Sequence, residues 1–359
     1  MVISLGQRGL RRSRLSPAHN NPEVPSANIE METVPCLLCG GENFEPVIAS
    51  PDPLTGLGGE FTVVRCLECG LHFTNPRPTE QSIGQFYPSN YSPWGGQEKS
   101  PTLRQRLHDA LELAVLQTGF GYPAESLSLG DRVKSLVGRA WISRSAQRQN
   151  WIPWRGPGRL LDFGCGGGDF LVAMRKFGWQ VEGMDNAESC AHDVTQRTGI
   201  PVHVGSLPHP EIQPESFDAV TMWNALEHVH QPRETVRAAN QALRTGGLLV
   251  IGVPNIASWA FEQFRERWYP LKVPRHLTHF TPDTLKETLN AEGFQVLSMD
   301  HISRPSFLRK SIRRVIKETG GSLALRLLST KQGATAVANW TERTGQSEFI
   351  RAVAEKLPQ

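Results

Sequence analysis

Leu160-Leu161-Asp162-Phe163-Gly164-Cys165-Gly166-Gly167-Gly168 reads as an apolar strand that ends on a carboxylate and breaks into a glycine-rich turn. Glycines at such a turn let the backbone approach a ligand closely and take positive φ without strain. A second apolar strand, Gln180-Val181-Glu182-Gly183-Met184, closes on Asp185. That spacing suits a nucleoside-binding βαβ unit, in which an acidic side chain ending the second strand accepts both ribose hydroxyl protons. The dinucleotide pattern G-x-G-x-x-G competes for the same residues. Gly164, Gly166 and Gly168 instead run G-x-G-x-G, and Asp169 stands where the last glycine is needed.

Outward from this unit the chain alternates strand and helix, the mark of an α/β fold with a doubly wound, mostly parallel sheet. Strand 159–163 leads to helix 169–177, and strand 180–184 to helix 187–198, with Gly178 and Gly199 as stops. Strands follow at 202–204, 217–223, 248–253 and 294–301, with helix 232–243, a turn at 244–247 and a late strand at 349–354. Thr281-Pro282 begins a helix with an N-cap oxygen and a proline in its first turn. Residues 254–280 read as irregular.

Four of the six cysteines form Cys36-Leu-Leu-Cys39-Gly40 and Cys66-Leu-Glu-Cys69-Gly70. Two such knuckles supply four thiolates for a closed, structural Zn²⁺ site. A disulfide pair or a redox C-x-x-C fits the doubled spacing less well, and His72 is a reserve ligand. Cys165 and Cys190 are left over, which suggests a reducing, cytoplasmic setting.

With 359 residues, 39% hydrophobic and 20% charged, the chain has the composition of a globular protein larger than one typical domain. It divides into a basic, disordered lead-in (1–33), a zinc module with an aromatic linker (34–100), a helical connector (101–154) and an α/β domain (155–359). No apolar run is long enough to span a bilayer. A net charge of +3 implies no strong whole-molecule steering to nucleic acid. The insertion 304–345 begins with a run, 304–331, in which Arg304, Arg309, Lys310, Arg313, Arg314, Lys317, Arg326 and Lys331 face Glu318 alone. It is expected as a solvated helical face, or else as a lid or a peripheral contact with anionic lipid or a phosphate-bearing substrate. Nothing in the sequence specifies an oligomeric state.

The Asp-Phe-Gly-Cys-Gly-Gly-Gly run resembles motif I of the class I S-adenosylmethionine (SAM) methyltransferases. Ser216-Phe-Asp-Ala-Val-Thr-Met-Trp-Asn-Ala-Leu-Glu-His-Val is similar to the fourth-strand segment of the ubiquinone-type O-methyltransferases, and Arg244-Thr-Gly-Gly-Leu-Leu-Val-Ile to their fifth strand. The paired knuckle followed by Asn75-Pro-Arg-Pro, Tyr87 and Tyr91 is similar to the N-terminal module of zinc-bearing methyltransferases that act on sugars and secondary metabolites. The resemblance implies a seven-stranded, Rossmann-like sheet carrying SAM at the carboxyl ends of the first and fourth strands, between Asp162 and Trp223-Asn224. Gly164, Cys165, Gly166 and Gly168 would pass close to its amino-acid end, with Asp162 complementary to the ammonium, and Asp185 would hold the ribose. Ser206 and Leu207 fall in the loop that brackets adenine, although many relatives carry an acidic residue where Ser206 stands.

Methyl transfer needs a positioned acceptor and, for a hydroxyl or acidic C–H, a group that removes its proton. Glu227-His228, just past the fourth strand, supplies the foremost candidates, with His228 as base or acceptor contact. His276 and His279 lie where acceptor pockets form, and Trp259, Trp268 and Tyr269 either line that pocket or pack. The expected acceptor is a small molecule, a sugar or a lipid-linked compound. An rRNA base methyltransferase is an alternative, opposed by the charge balance and by Trp223-Asn-Ala-Leu in place of an Asn/Asp-Pro-Pro-aromatic motif. A non-catalytic adaptor built on the zinc knuckle is a second, opposed by the intact glycine run and Asp185.

Overall fold

The computed structural model describes residues 29–87, 102–124, 128–142 and 151–358. The lead-in 1–28, Tyr91 and Trp94 lie outside these residues.

Each C-x-x-C-G turn sits at the start of an extended segment, and the chain between and after them folds into a small antiparallel sheet. Met31–Glu32 (β1) pairs with Arg77–Pro78 (β5), so these two residues of the lead-in 1–33 form paired strand. Phe44–Pro51 (β2), Glu60–Cys66 (β3) and His72–Thr74 (β4) follow one another as neighbours, and Glu80–Ile83 (α1) ends the module. The connector is a helical hairpin, Leu103–Gly119 (α2) and Leu129–Ile142 (α3). Thr102 opens α2 with a capping box to Gln105.

The α/β part runs Arg159–Phe163 (β6), Asp169–Lys176 (α4), Gln180–Asp185 (β7), Glu188–Thr198 (α5), Val202–Val204 (β8), Phe217–Trp223 (β9) and Pro232–Ala242 (α6). It continues with Leu243–Pro254 (β10), Trp259–Phe264 (α7), Thr278–His279 (β11), Pro282–Ala291 (α8) and Phe294–Ile302 (β12). Pro305–Thr319 (α9), Leu323–Leu328 (α10), Lys331–Arg343 (α11) and Phe349–Lys356 (β13) complete it. Seven strands form one sheet in the order β12-β13-β10-β9-β6-β7-β8, parallel except for β13, which is antiparallel to both of its neighbours. Strand order reverses at β6, whose partners are β7 and β9, and a ligand crevice opens at such a reversal beyond the carboxyl ends.

Two segments differ from the sequence reading. The turn at 244–247 is absorbed into β10, which begins at Leu243 opposite Phe217 and shifts register before Leu248. Gly247 allows this, because a Cβ there would stand 2.8 Å from the Arg244 carbonyl oxygen. Residues 254–280 are ordered rather than irregular: α7 and two 3₁₀ turns, Arg265–Arg267 and Tyr269–Leu271, lead to β11.

β11 extends the small sheet, whose order is β11-β4-β3-β2. The cysteine-bearing module is therefore stitched into the α/β part. Thr74 donates its amide to the Leu277 carbonyl (2.9 Å) and its hydroxyl to that of His276 (2.8 Å). Buried Arg77 reaches Glu32 (2.7 Å) and the His230 carbonyl (2.8 Å). Arg275 and Asp52, both buried, form an ion pair at 3.0 Å, and Arg275 also donates to the Phe86 carbonyl. One apolar core runs without a break from Leu38, Cys66 and Phe73 to Leu161, Phe163 and Val220. Among the described residues, no helix is long and apolar enough to cross a membrane.

The basic run 304–331 is spread over α9 and α10 and reaches the first residue of α11. Arg304 lies over the Phe349 ring, Lys310 and Arg314 lie over Tyr269, and Arg309 and Arg326 bond the carbonyls of Ser329 and Gly320. Much of its charge thus serves local packing, while Arg313, Lys317 and Lys331 face solvent.

Candidate functional site

The glycine turn after β6 is held from below. Gly164 and Cys165 both donate their amides to the Met184 carbonyl, at 2.8 and 3.0 Å. Gly164, at φ +74°, has no room for a side chain, since its Cβ would stand 2.7 Å from that of Ala225. The loops after β6 and β9 therefore meet at this point. Gly168, also at positive φ, starts α4. Cys165 is buried, its sulfur packs against Gly183, and its carbonyl accepts from Gly168, so it shapes the turn from beneath.

Asp185 closes β7 with both oxygens engaged: Oδ2 accepts from the Gly166 amide and Oδ1 from that of Ala187, each at 2.9 Å. The carboxylate is thereby fixed beside the turn and half-exposed, fit to take ribose hydroxyls. Gly205 anchors the next loop to the Asp185 carbonyl at 3.0 Å, leaving Ser206 half-buried and Leu207 buried. Asn224 is exposed at φ +53° beyond β9, and Trp223 packs edge-on against Phe170.

Asp162 is only 2% exposed and accepts a 2.6 Å hydrogen bond from the Thr221 hydroxyl. Burial pushes its pKa up to about 7, the Asp185 charge adds to the rise, and the Thr221 bond opposes it. A cation beside Asp162 favours the ionised form, so below pH 7 its binding must first expel a proton. Affinity for SAM is expected to be level above pH 7 and to fall by about tenfold per unit below it. Calorimetric titrations from acid to mildly alkaline pH check this, and a pH-independent dissociation constant would show that no cationic group of the ligand rests beside Asp162.

Past β9, a 3₁₀ turn over Leu226–His228 carries Glu227 and His228, the two foremost candidates from the sequence. The Glu227 side chain is buried, and neither carboxyl oxygen has a hydrogen-bond partner among the described residues. Burial pushes its pKa up to about 8, against the pull of the Lys272 charge. His276 Nε2 lies 3.9 Å from Glu227 Oε1 and is likewise buried without a partner. The His276 ring stands edge-on to His228 at 4.6 Å. His228 Nδ1 is 3.0 Å from the Arg275 carbonyl and 2.9 Å from the Tyr87 hydroxyl. A carbonyl can only accept, so Nδ1 carries the hydrogen and Nε2 keeps its lone pair. Burial, and then the Lys272 charge, lower His228 to about 3, so its imidazole is neutral. Glu227, His228 and His276 present donor atoms within 4.8 Å of one another, a spacing a metal could use. The Lys272 ammonium opposes a cation there.

His279 lies outside this group. It is buried in the seam, with Nε2 3.3 Å from the Thr74 hydroxyl on β4. Trp268 is buried in a satellite core, Trp259 packs on Phe264 and Trp340, and Tyr269 is covered by Lys310 and Arg314. Tyr87 and Lys272 join the site without having been marked for it by sequence. A contact across 141 residues leaves no local spacing signal.

In the cysteine-bearing module, Cys36 and Cys69 sulfurs are 3.4 Å apart, those of Cys39 and Cys66 3.6 Å, and all four lie within 4.8 Å. These separations exceed a disulfide bond by far and suit four sulfurs about 2.3 Å from one central ion. Gly40 and Gly70, at φ +78° and +79°, close the two turns by donating to the Cys36 and Cys66 carbonyls. The Gly41 amide points at the Cys39 sulfur at 3.4 Å.

Residues 139–299 match a family described as a methyltransferase domain. The ubiquinone biosynthesis O-methyltransferase of Idiomarina loihiensis is 29% identical over 154 residues, 40% of this chain and 63% of that protein. The enzyme of the same name from Xanthomonas campestris is 38% identical over 109 residues, 29% of this chain and 46% of that one. Its namesake from Roseobacter denitrificans is 28% identical over 178 residues, covering 46% and 70%. The chain thus spans less than two thirds of the length of the first two.

Proposed function

The chain belongs to the class I SAM-dependent methyltransferases, and from that premise we propose that it methylates oxygen or carbon on a small-molecule, sugar or lipid-linked acceptor. The observation that carries this reading is the meeting of the loops after β6 and β9 at Gly164 and Ala225. It sets the nucleoside-type turn beside the Glu227-His228 pair. When bound, SAM supplies a methyl group activated on a sulfonium. Asp185 holds its ribose, Asp162 faces its ammonium, and Leu207 with Ser206 borders its base.

An acceptor hydroxyl that gains a methyl becomes strongly acidic, so even the weak base His228 can take its proton at Nε2. A neutral imidazole is what the step requires, because a protonated one would repel the cationic donor. Glu227, protonated near neutrality, donates a hydrogen bond to a neighbouring acceptor oxygen. Tyr87 and the Arg275 carbonyl fix the imidazole tautomer. The four cysteines hold a structural Zn²⁺ that shapes the module carrying Tyr87.

Incubation with methyl-labelled SAM and fractionated cell extract is expected to place label in a small-molecule or lipid fraction. Asp185→Ala is expected to weaken SAM by roughly 30- to 1,000-fold, as about 2–4 kcal/mol of charge-assisted hydrogen bonding is lost. Label appearing in RNA alone, or undiminished SAM affinity in the variant, would overturn the reading.

A further inference from the structure

The helical hairpin α2–α3 is built inside out. α3 meets α2 through Ser135 and Gly138: the Ser135 hydroxyl is 2.6 Å from that of Thr118, and a Cβ on Gly138 would stand 2.8 Å from the Leu111 carbonyl oxygen. Its large aliphatic side chains point away from this seam. Leu129, Val133, Leu136 and Val137, spaced i, i+4, i+7 and i+8, share one face, with Leu129 79% and Leu136 69% exposed. On α2, Leu103 (84% exposed) and Leu107 add a second bare pair. Among the described residues nothing covers this face, and a soluble surface seldom leaves so many large aliphatics together bare.

The charges decide the occupant. Arg132 and Arg139 flank the aliphatic face of α3 on one side and Lys134 on the other, all three exposed, while the helix's one acid, Asp131, is already paired with Lys134 at 3.1 Å. Arg104 and Arg106 are exposed on α2 beside Leu103 and Leu107. A second copy docked on this face would bring like charges together. An anionic surface with an apolar interior satisfies both the aliphatic face and its cationic borders. We propose that α2–α3 is a membrane-docking hairpin that lays Leu129, Val133, Leu136 and Val137 into the headgroup region of an anionic lipid bilayer. This inference stands apart from the methyl-transfer reading, since none of these residues belongs to the site.

The test is sedimentation of the full chain with phosphatidylcholine vesicles, with and without phosphatidylglycerol. The protein is expected to bind the anionic vesicles, and to bind them less as salt rises. Leu129→Ser/Leu136→Ser is expected to weaken this binding at least tenfold with no change in melting temperature or SAM affinity. Arg132→Glu/Arg139→Glu is expected to do likewise on anionic vesicles. Absence of vesicle binding by the unmodified chain, or undiminished binding by the leucine variant, overturns the proposal. So does a dimer seen by light scattering that the leucine variant dissociates, which would make a second copy the occupant.

Discussion

Cys66→Ser is expected to leave the protein without bound zinc, to cost at least about 4 kcal/mol of stability and to bring turnover close to zero. Cys66 is fully buried, ends β3 and faces Cys39 at 3.6 Å. A hydroxyl is a poor zinc ligand, and without the ion the remaining sulfurs protonate and no longer tie the two turns together. The damage would not stop at the knuckle. Leu38, Cys66 and Phe73 share one apolar core with the central sheet, and Phe86 and Asp52 meet Arg275, whose carbonyl lies against His228. Loosening the module therefore removes Tyr87 from His228 and leaves the Arg275 charge buried without its partner. Metal analysis, thermal melting and a turnover assay check this together. A zinc-free variant that melts and turns over like the parent would show that the four thiols need no ion.

His228→Ala is expected to lower turnover by about 10²- to 10⁴-fold while changing SAM affinity less than threefold, the range associated with loss of a positioned acid–base group. Its Nδ1 is committed to the Arg275 carbonyl, so the only free lone pair is on Nε2. Tyr87→Phe removes one partner of the ring but keeps that carbonyl, so its effect should be smaller and fall mainly on kcat. Single-turnover rates with saturating SAM separate the chemical step from binding. An unchanged rate in the alanine variant would assign proton removal to another group.

Much of the α/β core was legible because its signals are local. Asp162, the glycines and Asp185 lie within one βαβ unit, and strand and helix periods are read over a few residues. The cysteine spacing was legible for the same reason. The seam was not. β11 is only two residues long, and its partner β4 lies about two hundred residues earlier, so no period announces it. The Arg275–Asp52 pair joins positions 223 residues apart, each unremarkable alone. His279 shows the cost. In sequence it sits beside His276 as an equal candidate, and only the fold reveals that its ring belongs to the join with Thr74.

Because Thr278 and His279 supply the edge of the cysteine-bearing sheet, a cut between that module and the α/β part divides a sheet. A fragment ending near residue 100 would present β4 with an open flank, and the remainder would keep a stranded two-residue edge. Anyone exchanging the N-terminal module between relatives would have to move 272–280 with it, so two distant stretches of gene are inherited as one unit.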